Sequence, residues 1–480
     1  MASSFGKNII FLLFVNLLIK PLYIFGIETQ AQNMLGPNTW GIYFGLFNFC
    51  FLFQIILDPG IHNQNSKWIA ENRGGIHKRI GQTIALKLIL GIFFLALTAI
   101  GAFLVGYPIA YFRMLLFVGI NFFLSSLYVF LKSHFPAMGE YQKETFYSIL
   151  DKVLLLILLG YQIYILERLD IMGFIYSITI ANVIAIVVAY LGLKSLSPVH
   201  LRFSFSEATE LLRKSFGFAL VGLFMSMYNR LDGVMLERML DDRGYSAGVY
   251  AACYRILDAS NMFALLFASL LLPMFAHQLI RKDEIYNLVS QASRMMLAII
   301  SGVVLCGFFY AEEIMSLLYT DYTTEYSQSF KILILSFIGV GLSYVYGTLI
   351  TASGKLFYFN LLLFAGILLN VTLNYLWIPT QTTIGAAKAT LITQLFVMLG
   401  QLLIVVRQFG FRYNGKATMQ TLSFLVIAIG SAYLLDQFDL FWVIRLILTG
   451  FILILASFLL GLLRLDTFFG SQTKENQNHT

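Results

Sequence analysis

Long apolar runs recur along almost the whole chain, separated by short polar stretches that hold most of its charged residues. A membrane-spanning helix needs about 20 predominantly apolar residues, and most of these runs reach that length. The pattern therefore predicts an all-α polytopic membrane protein with about 14 transmembrane helices. The runs lie near residues 9–29, 40–60, 84–106, 112–132, 147–166, 171–193, 215–236, 249–276, 295–311, 330–352, 356–377, 384–406, 418–435 and 441–463.

The runs form two groups of six, followed by a further pair. We expect two pseudo-symmetric six-helix lobes plus two extra helices, with a linker between the lobes and a polar tail. The predicted parts are an N-terminal lobe (1–193), a cytoplasmic linker (194–214), a C-terminal lobe (215–406), two additional helices (418–463) and a cytoplasmic tail (464–480).

The composition agrees with this reading. Hydrophobic residues make up 59% of the chain and charged residues only 12%, which excludes an ordinary soluble enzyme. The formal charge of +7 is typical of basic cytoplasmic loops in a membrane protein and does not indicate nucleic-acid binding. With the N-terminus inside, the cytoplasmic segments hold twenty Lys and Arg and the outer segments at most five. This count predicts that both termini are cytoplasmic, and it identifies the basic loop 61–82 as a contact for anionic membrane lipids or for an anionic substrate head group.

Cysteine and histidine give no sign of a redox or metal centre. Cys50, Cys253 and Cys306 all lie inside apolar runs, where thiols pack as small hydrophobic groups. The histidines lie in predicted loops and in the tail. We expect no disulfide framework, no metal site and no cofactor.

Two pairs of glycine-containing turns indicate an internal duplication. Gly41 and Gly248 are 207 residues apart, and Gly139 and Gly354 are 215 apart, at matching places in the six-helix count. Parallel repeats of this kind occur in transporters that bind substrate near the membrane midplane and rock one half against the other. The alternative is a chance likeness between unrelated turns, since such turns are common.

Four segments carry a family resemblance. They read L-G-P-N-T-W-G-I-Y (Leu35–Tyr43), L-D-P-G (Leu57–Gly60), Y-N-R-L-D-G-V-M-L (Tyr228–Leu236) and G-V-Y-A-A-C-Y-R-I-L-D (Gly248–Asp258). In their order and spacing, the chain resembles the bacterial polysaccharide flippases of the multidrug, oligosaccharidyl-lipid and polysaccharide exporter superfamily. The likeness extends over essentially the whole chain.

The resemblance implies transport without catalysis. Such a protein moves an undecaprenyl-pyrophosphate-linked oligosaccharide across the bacterial inner membrane for O-antigen (lipopolysaccharide), capsule or exopolysaccharide assembly. A polysaccharide polymerase and a chain-length regulator are implied as partners, and sodium or protons as a coupling ion. Two alternatives stay open: an ion-coupled multidrug exporter of the same superfamily, and a membrane-embedded glycosyltransferase or polymerase.

Three basic residues stand inside predicted helices, where a charge costs at least about 2.5–3.5 kcal/mol without a partner or water. Lys20 precedes Pro21, which we expect to kink the first helix and act as a hinge. Arg230 and Arg255 lie in the seventh and eighth helices. A cationic cavity built from these three residues would suit a pyrophosphate, because Arg offers paired donors and Lys a mobile charge.

The acidic residues nearby have two interpretations. Asp58, Asp232 and Asp258 are candidates for coupling an ion or for structural pairing. Asp258 shares a helix face with Arg255, so these two residues could form a closed pair, joined by Asp232. The remaining basic residues within the runs lie close to helix ends, where we expect them to extend to the lipid head groups: Lys87, Lys152, Lys388 and Arg445.

Overall fold

The computed structural model describes residues 18–61, 76–194, 204–279, 282–410 and 414–463. Within these ranges the chain is helical and contains no β-strand, so the predicted all-α class is confirmed. Several predicted features fall outside the described residues: the start of the first run, most of the basic loop, residues 195–203 of the linker, and the tail.

The helices of eight or more residues carry labels in chain order. They are α1 (Thr29–Leu52), α2 (Ile76–Val105), α3 (Phe112–Lys132), α4 (Tyr141–Tyr164), α5 (Ile171–Lys194), α6 (Phe205–Met239), α7 (Tyr245–Gln278), α8 (Lys282–Phe309), α9 (Ala311–Leu318), α10 (Thr324–Leu335), α11 (Phe337–Ser353), α12 (Phe357–Phe409), α13 (Gly415–Asp436) and α14 (Trp442–Leu459).

Ten segments of the described chain are long and apolar enough to cross a membrane. They confirm a polytopic membrane protein, while the number of fourteen crossings stays a prediction. Helix α12 has 53 residues, which corresponds to roughly 80 Å and is more than twice the thickness of a bilayer core. Its backbone is broken at Thr382, where φ is 48° and ψ is −127°.

Large apolar side chains cover the outside of several helices. Ile92, Phe103 and Leu104 of α2 are 72%, 71% and 77% exposed, and Val426 of α13 is 72% exposed. An exposed apolar surface of this kind is costly in water and favourable against hydrocarbon. These helix faces are therefore suited to contact lipid chains.

The chain divides into two compact units. The first comprises Met1–Ala252 with Asn374–Thr382, and the second comprises Cys253–Leu373 with Thr383–Thr480. The lobe boundaries predicted from the sequence stay a prediction.

In the first unit, α1 packs along α6, and α3 packs along α5. Helix α1 bends at Gly36, whose φ of 72° suits glycine, and Pro37 follows directly. Beyond the bend, Trp40 is almost completely buried and its ring meets that of Phe174 edge-on at 5.1 Å between centroids. This aromatic contact fixes the start of the continuing helix against α5.

In the second unit, α8 lies in the middle and contacts α10, α11, α13 and α14. A separate buried cluster joins α13 to α14 and includes Phe424, Ala428, Leu453 and Ala456. Small residues in this cluster let the two helices approach closely, as is common between membrane helices.

Candidate functional site

Lys20 and Pro21 lie in a helical segment that widens directly afterwards. Ile24–Glu28 form a π-helical turn, and such turns occur often at functional sites. The hydroxyl of Thr29 donates to a carbonyl of this turn at 3.1 Å, and the hydroxyl of Tyr164 donates to another at 2.5 Å. Side chains therefore satisfy backbone acceptors of the widened turn. The role of Pro21 as a hinge stays a prediction.

Lys20 acts electrostatically on two further lysines, Lys132 at the end of α3 and Lys152 within α4. The sequence prediction missed this grouping, because it assigned Lys152 to the lipid head groups. The signal that the sequence does carry is the depth of Lys152, eleven residues into α4.

Arg230 lies partly buried on α6. Its guanidinium carbon is 4.9 Å from the ring centroid of Phe51 on α1. Stacking on an aromatic face fixes the plane of a guanidinium and is worth about 0.5–2 kcal/mol. The structure thus orients Arg230 within the first unit, on the helix pair α1 and α6.

Asp232 follows Arg230 by two residues and has different neighbours. Its side chain is 1% exposed, and its two oxygens accept hydrogen bonds from the Tyr250 hydroxyl at 3.0 Å and the Asn374 amide at 2.6 Å. Such charge-assisted bonds stabilise a buried carboxylate. Asn374 is 142 residues away in the chain, so this contact could not be predicted from the spacing of residues in the sequence.

Lys87 does not extend to the head groups, so that prediction is wrong. Its side chain is 2% exposed, and its amino group donates to the Asp58 carboxylate at 3.2 Å, to the Leu57 carbonyl at 3.0 Å and to the Ser126 hydroxyl at 2.9 Å. The amino group thus satisfies acceptors at the end of one helix and on another. Asp58 is therefore in an ion pair, and its predicted part in coupling is untested.

Arg255 and Asp258 belong to the second unit, where both lie partly buried on α7. Their spacing places them on one helix face, as predicted. Lys20 and Arg230 belong to the first unit. That all three basic residues line one cavity, and that Asp232 joins Arg255 to Asp258, stay predictions.

The two turns that mark the duplication, Leu35–Tyr43 and Leu240–Tyr250, contact each other in the first unit. The side-chain amide of Gln32 donates to the carbonyl of Gly248 at 3.0 Å. The amide of Asn38 donates to another carbonyl of the second turn at 3.3 Å. Polar side chains within the first turn and just before it thus bind backbone acceptors of the second turn.

Glycines permit the close approach at this contact. A Cβ atom at Gly41 would overlap the carbonyl oxygen of Gly244, and one at Gly248 would overlap the carbonyl oxygen of Pro37. Gly41 and Gly248 are the equivalent positions of the predicted repeats. An axis that relates two repeats brings equivalent residues into contact only where it passes between them. The duplication itself stays a prediction.

Solved structures share this arrangement of helices. The chain is similar to the lipid II flippase MurJ in its inward closed conformation, with a TM-score of 0.69, 16% identity, and coverage of 95% of this chain and 98% of that one. It is also similar to a multidrug resistance MATE family transporter of the MOP superfamily in an inward-facing conformation, with a TM-score of 0.68, 15% identity, and coverage of 81% and 94%. A MOP superfamily transporter from Pyrococcus furiosus matches with a TM-score of 0.60, 13% identity, and coverage of 84% and 95%.

These similarities show the fold: its helices are arranged as in these solved transporters of the MOP superfamily. A family model described as polysaccharide biosynthesis protein matches residues 5–279, which is more than half of the chain. The chain belongs to this family of polysaccharide biosynthesis proteins, and the family membership predicted from the sequence is confirmed. No curated protein matches the sequence.

Proposed function

We propose that the protein is a flippase that moves an undecaprenyl-pyrophosphate-linked oligosaccharide from the cytoplasmic to the periplasmic leaflet of the bacterial inner membrane. The observation that carries this proposal is the match to the polysaccharide biosynthesis family over residues 5–279. The resemblance to a lipid II flippase is consistent with a lipid-linked cargo. The reaction is a relocation, and no bond of the substrate is made or broken.

The charged residues within the helices support an anionic cargo. Sugars and a diphosphate cannot enter hydrocarbon, so a polar path must shield them while the polyprenyl chain stays in the bilayer. We assign Lys20, Arg230 and Arg255 to binding of the diphosphate. Arginine is suited to this role because its planar fork matches phosphate oxygens.

Alternating access requires that closures on the two sides of the membrane open in turn. In the predicted orientation, the turns Leu35–Tyr43 and Leu240–Tyr250 face the periplasm. We infer that their contact through Gly41 and Gly248 is the outer closure, and that the widened segment after Pro21 bends when this closure opens. The contact between the two turns has few hydrogen bonds and is made by small residues, so the turns can separate and meet again at low cost.

The proposal is tested in a strain that lacks the gene. Lipid-linked repeat units should accumulate on the cytoplasmic leaflet, and wild-type protein should restore surface polysaccharide. Lys20→Ala and Arg230→Ala should abolish restoration while the protein remains inserted and abundant. Arg113→Ala is the control, because Arg113 is exposed and bonds only to Tyr176 among the described residues. Normal polymer output from both test variants would remove them from the site.

One observation favours a second candidate, an ion-coupled multidrug exporter. The buried carboxylate of Asp232, with its two donors, resembles a place for a proton or a sodium ion, and two of the similar structures are multidrug transporters. An exporter predicts that deletion changes drug sensitivity and leaves surface polysaccharide intact. Under the flippase proposal the same carboxylate takes the coupling ion, with Asp58 and Asp258 as alternatives.

A further inference from the structure

Three lysines on three separate helical segments of the first unit act on one another electrostatically. Lys20 acts electrostatically on Lys132 and Lys152, and Lys132 also acts on Lys152. All three side chains are partly buried. Like charges held together in a medium of low dielectric constant repel strongly, so the cluster needs negative charge to be stable.

The protein supplies part of that negative charge. The amino group of Lys152 lies 3.5 Å from the carboxylate of Asp151. The same carboxylate also acts electrostatically on Lys20 and Lys132, and Glu144 acts on Lys132. Among the described residues, the amino groups of Lys20 and Lys132 have no hydrogen bond to an acceptor and no ion pair within 4 Å. Two of the three ammonium groups therefore lack a bonding anion in this part of the chain.

Aromatic rings hold two of the amino groups in place. The Lys132 amino group lies 5.3 Å from the ring centroid of Tyr128, and the Lys152 amino group lies 4.9 Å from that of Tyr23. Both rings are buried. A cation–π contact stabilises an ammonium group by less than it costs to place that group inside a membrane. The rings position the lysines but do not replace a counter-ion.

A second feature of the cluster points to a ligand. One oxygen of the Asp151 carboxylate, Oδ1, is buried and has no hydrogen-bond partner among the described residues. A carboxylate oxygen accepts hydrogen bonds and cannot donate them. A ligand that carries hydroxyl groups beside an anionic group would satisfy this acceptor and the two ammonium groups together.

We propose that Lys20, Lys132 and Lys152 form a binding site for the diphosphate of a polyprenyl-diphosphate lipid, with Asp151 accepting from an adjacent hydroxyl group. This inference rests on the proposed function and adds Lys132 and Lys152 to the binding residues. Two ammonium groups without bonding anions match the two negative charges of a diphosphate diester, whereas a phospholipid phosphodiester brings one. Lys132 ends α3 on the side predicted to be cytoplasmic, where the cargo is loaded.

Binding of farnesyl diphosphate to the purified full-length protein in detergent tests the site. Lys132→Gln with Lys152→Gln should weaken binding at least tenfold, while Lys132→Arg with Lys152→Arg should retain most of it. Lys331→Gln is the matched control, because Lys331 is also partly buried in a helix but lies in the second unit. Equal binding by wild type and the Gln variant, or no binding by wild type, overturns the proposal.

Two further arms identify the source of the phosphate and guard against misfolding. Farnesyl monophosphate and phosphatidylglycerol should compete poorly; competition by phosphatidylglycerol at equal concentration assigns the site to a membrane head group and overturns the diphosphate assignment. A benzophenone-bearing farnesyl diphosphate should label peptides of α3 and α4 in the wild type. Labelling confined to other helices would overturn the assignment of the site to the three lysines.

The outcomes separate this site from the proposed function. If surface polysaccharide depends on the gene but the Gln variant binds farnesyl diphosphate normally, the site is wrong and the flippase stands. If binding depends on the lysines but polysaccharide is intact in the deletion strain, the site stands and the flippase assignment falls.

Discussion

Charged side chains within the helices differ in their partners, and the partner determines whether a charge stabilises the fold or is available to bind a ligand. Lys87 is surrounded by acceptors from the protein itself, whereas Lys20 is acted on by the charges of Lys132, Lys152 and Asp151. A satisfied charge ties helices together, and a charge in a repulsive cluster calls for a ligand. This difference separates the structural lysine from the proposed binding residues.

The pairing of Lys87 with Asp58 makes a stability prediction. Lys87→Met should lower the free energy of unfolding by about 2 kcal/mol, because it leaves a carboxylate and a carbonyl without their donor. The double variant with Asp58→Asn should lose less than the sum of the two single variants. Thermal unfolding in detergent measures both. Lys143→Met is the control, since its pair with Glu140 is about 44% exposed and should contribute little.

The sequence predicted which residues would be unusual but not their partners. Lys20, Arg230 and Asp232 stand out because charge is costly in a membrane helix. The position of Lys87 near a helix end suggested a head-group contact, yet α2 packs on α3 so that Ser126 and the chain at Leu57 enclose it. Such contacts between distant segments follow from helix packing, which the hydrophobic pattern does not specify.

At the scale of helices, the glycine contact makes a prediction about movement. Gly41→Ala places a methyl group on backbone atoms of Gly244 and Gly248, so the two turns cannot approach fully. We expect surface polysaccharide to fall sharply in a complementation assay. Gly302→Ala is the control, because no atom lies within 4 Å of its added Cβ and helical alanine is favoured over glycine by about 1 kcal/mol. Full activity of Gly41→Ala would show that close contact is not needed.

The break in α12 makes a second prediction. Thr382 has a φ of 48°, a left-handed conformation that costs a residue other than glycine about 1–3 kcal/mol. Thr382→Gly should therefore raise the free energy of unfolding by about 1 kcal/mol, after the entropy cost of glycine. Thr372→Gly, at a regular position of the same helix, should lower it. A fall in both variants would contradict the strain argument, and thermal unfolding in detergent measures each.

Thr383, directly after the break, explains how the bend is held. Its hydroxyl donates to the Glu325 carboxylate at 2.6 Å and lies 2.7 Å from the Ser329 hydroxyl. The sequence predicted two runs on either side of this place, and Pro379 lies between them. It did not mark Thr382 as the position of the break, since threonine is not a usual residue at positive φ. By contrast, the bend at Gly36 and Pro37 can be expected from the sequence, because glycine and proline commonly interrupt a helix.

At the scale of the whole molecule, orientation is the property that the sequence predicts most directly. The distribution of Lys and Arg predicts that both termini and the even-numbered connections lie in the cytoplasm. A reporter fused after Gly60 should therefore indicate the cytoplasm, and one fused after Glu313 the periplasm. Alkaline phosphatase and green fluorescent protein fusions measure the two cases. The opposite pattern would reverse the orientation and place the contact at Gly41 inside.

The overall class was predictable because a chain that is 59% hydrophobic and only 12% charged has few folds open to it. The ten segments able to cross a membrane and the superfamily fold agree with that expectation. The finer arrangement was not predictable, because sites such as the pairing of Asp232 with Asn374 depend on residues far apart in the chain.

The meeting of Gly41 with the turn at Gly248 bears on ancestry. If the two lobes descend from one gene whose product formed a dimer, both glycines were once encoded by a single codon. Any substitution there would have enlarged both sides of the contact at once and been removed by selection. After fusion each codon could mutate independently of the other. In present-day relatives, a residue larger than glycine at one position should therefore occur only where the backbone of the opposite turn lies farther away.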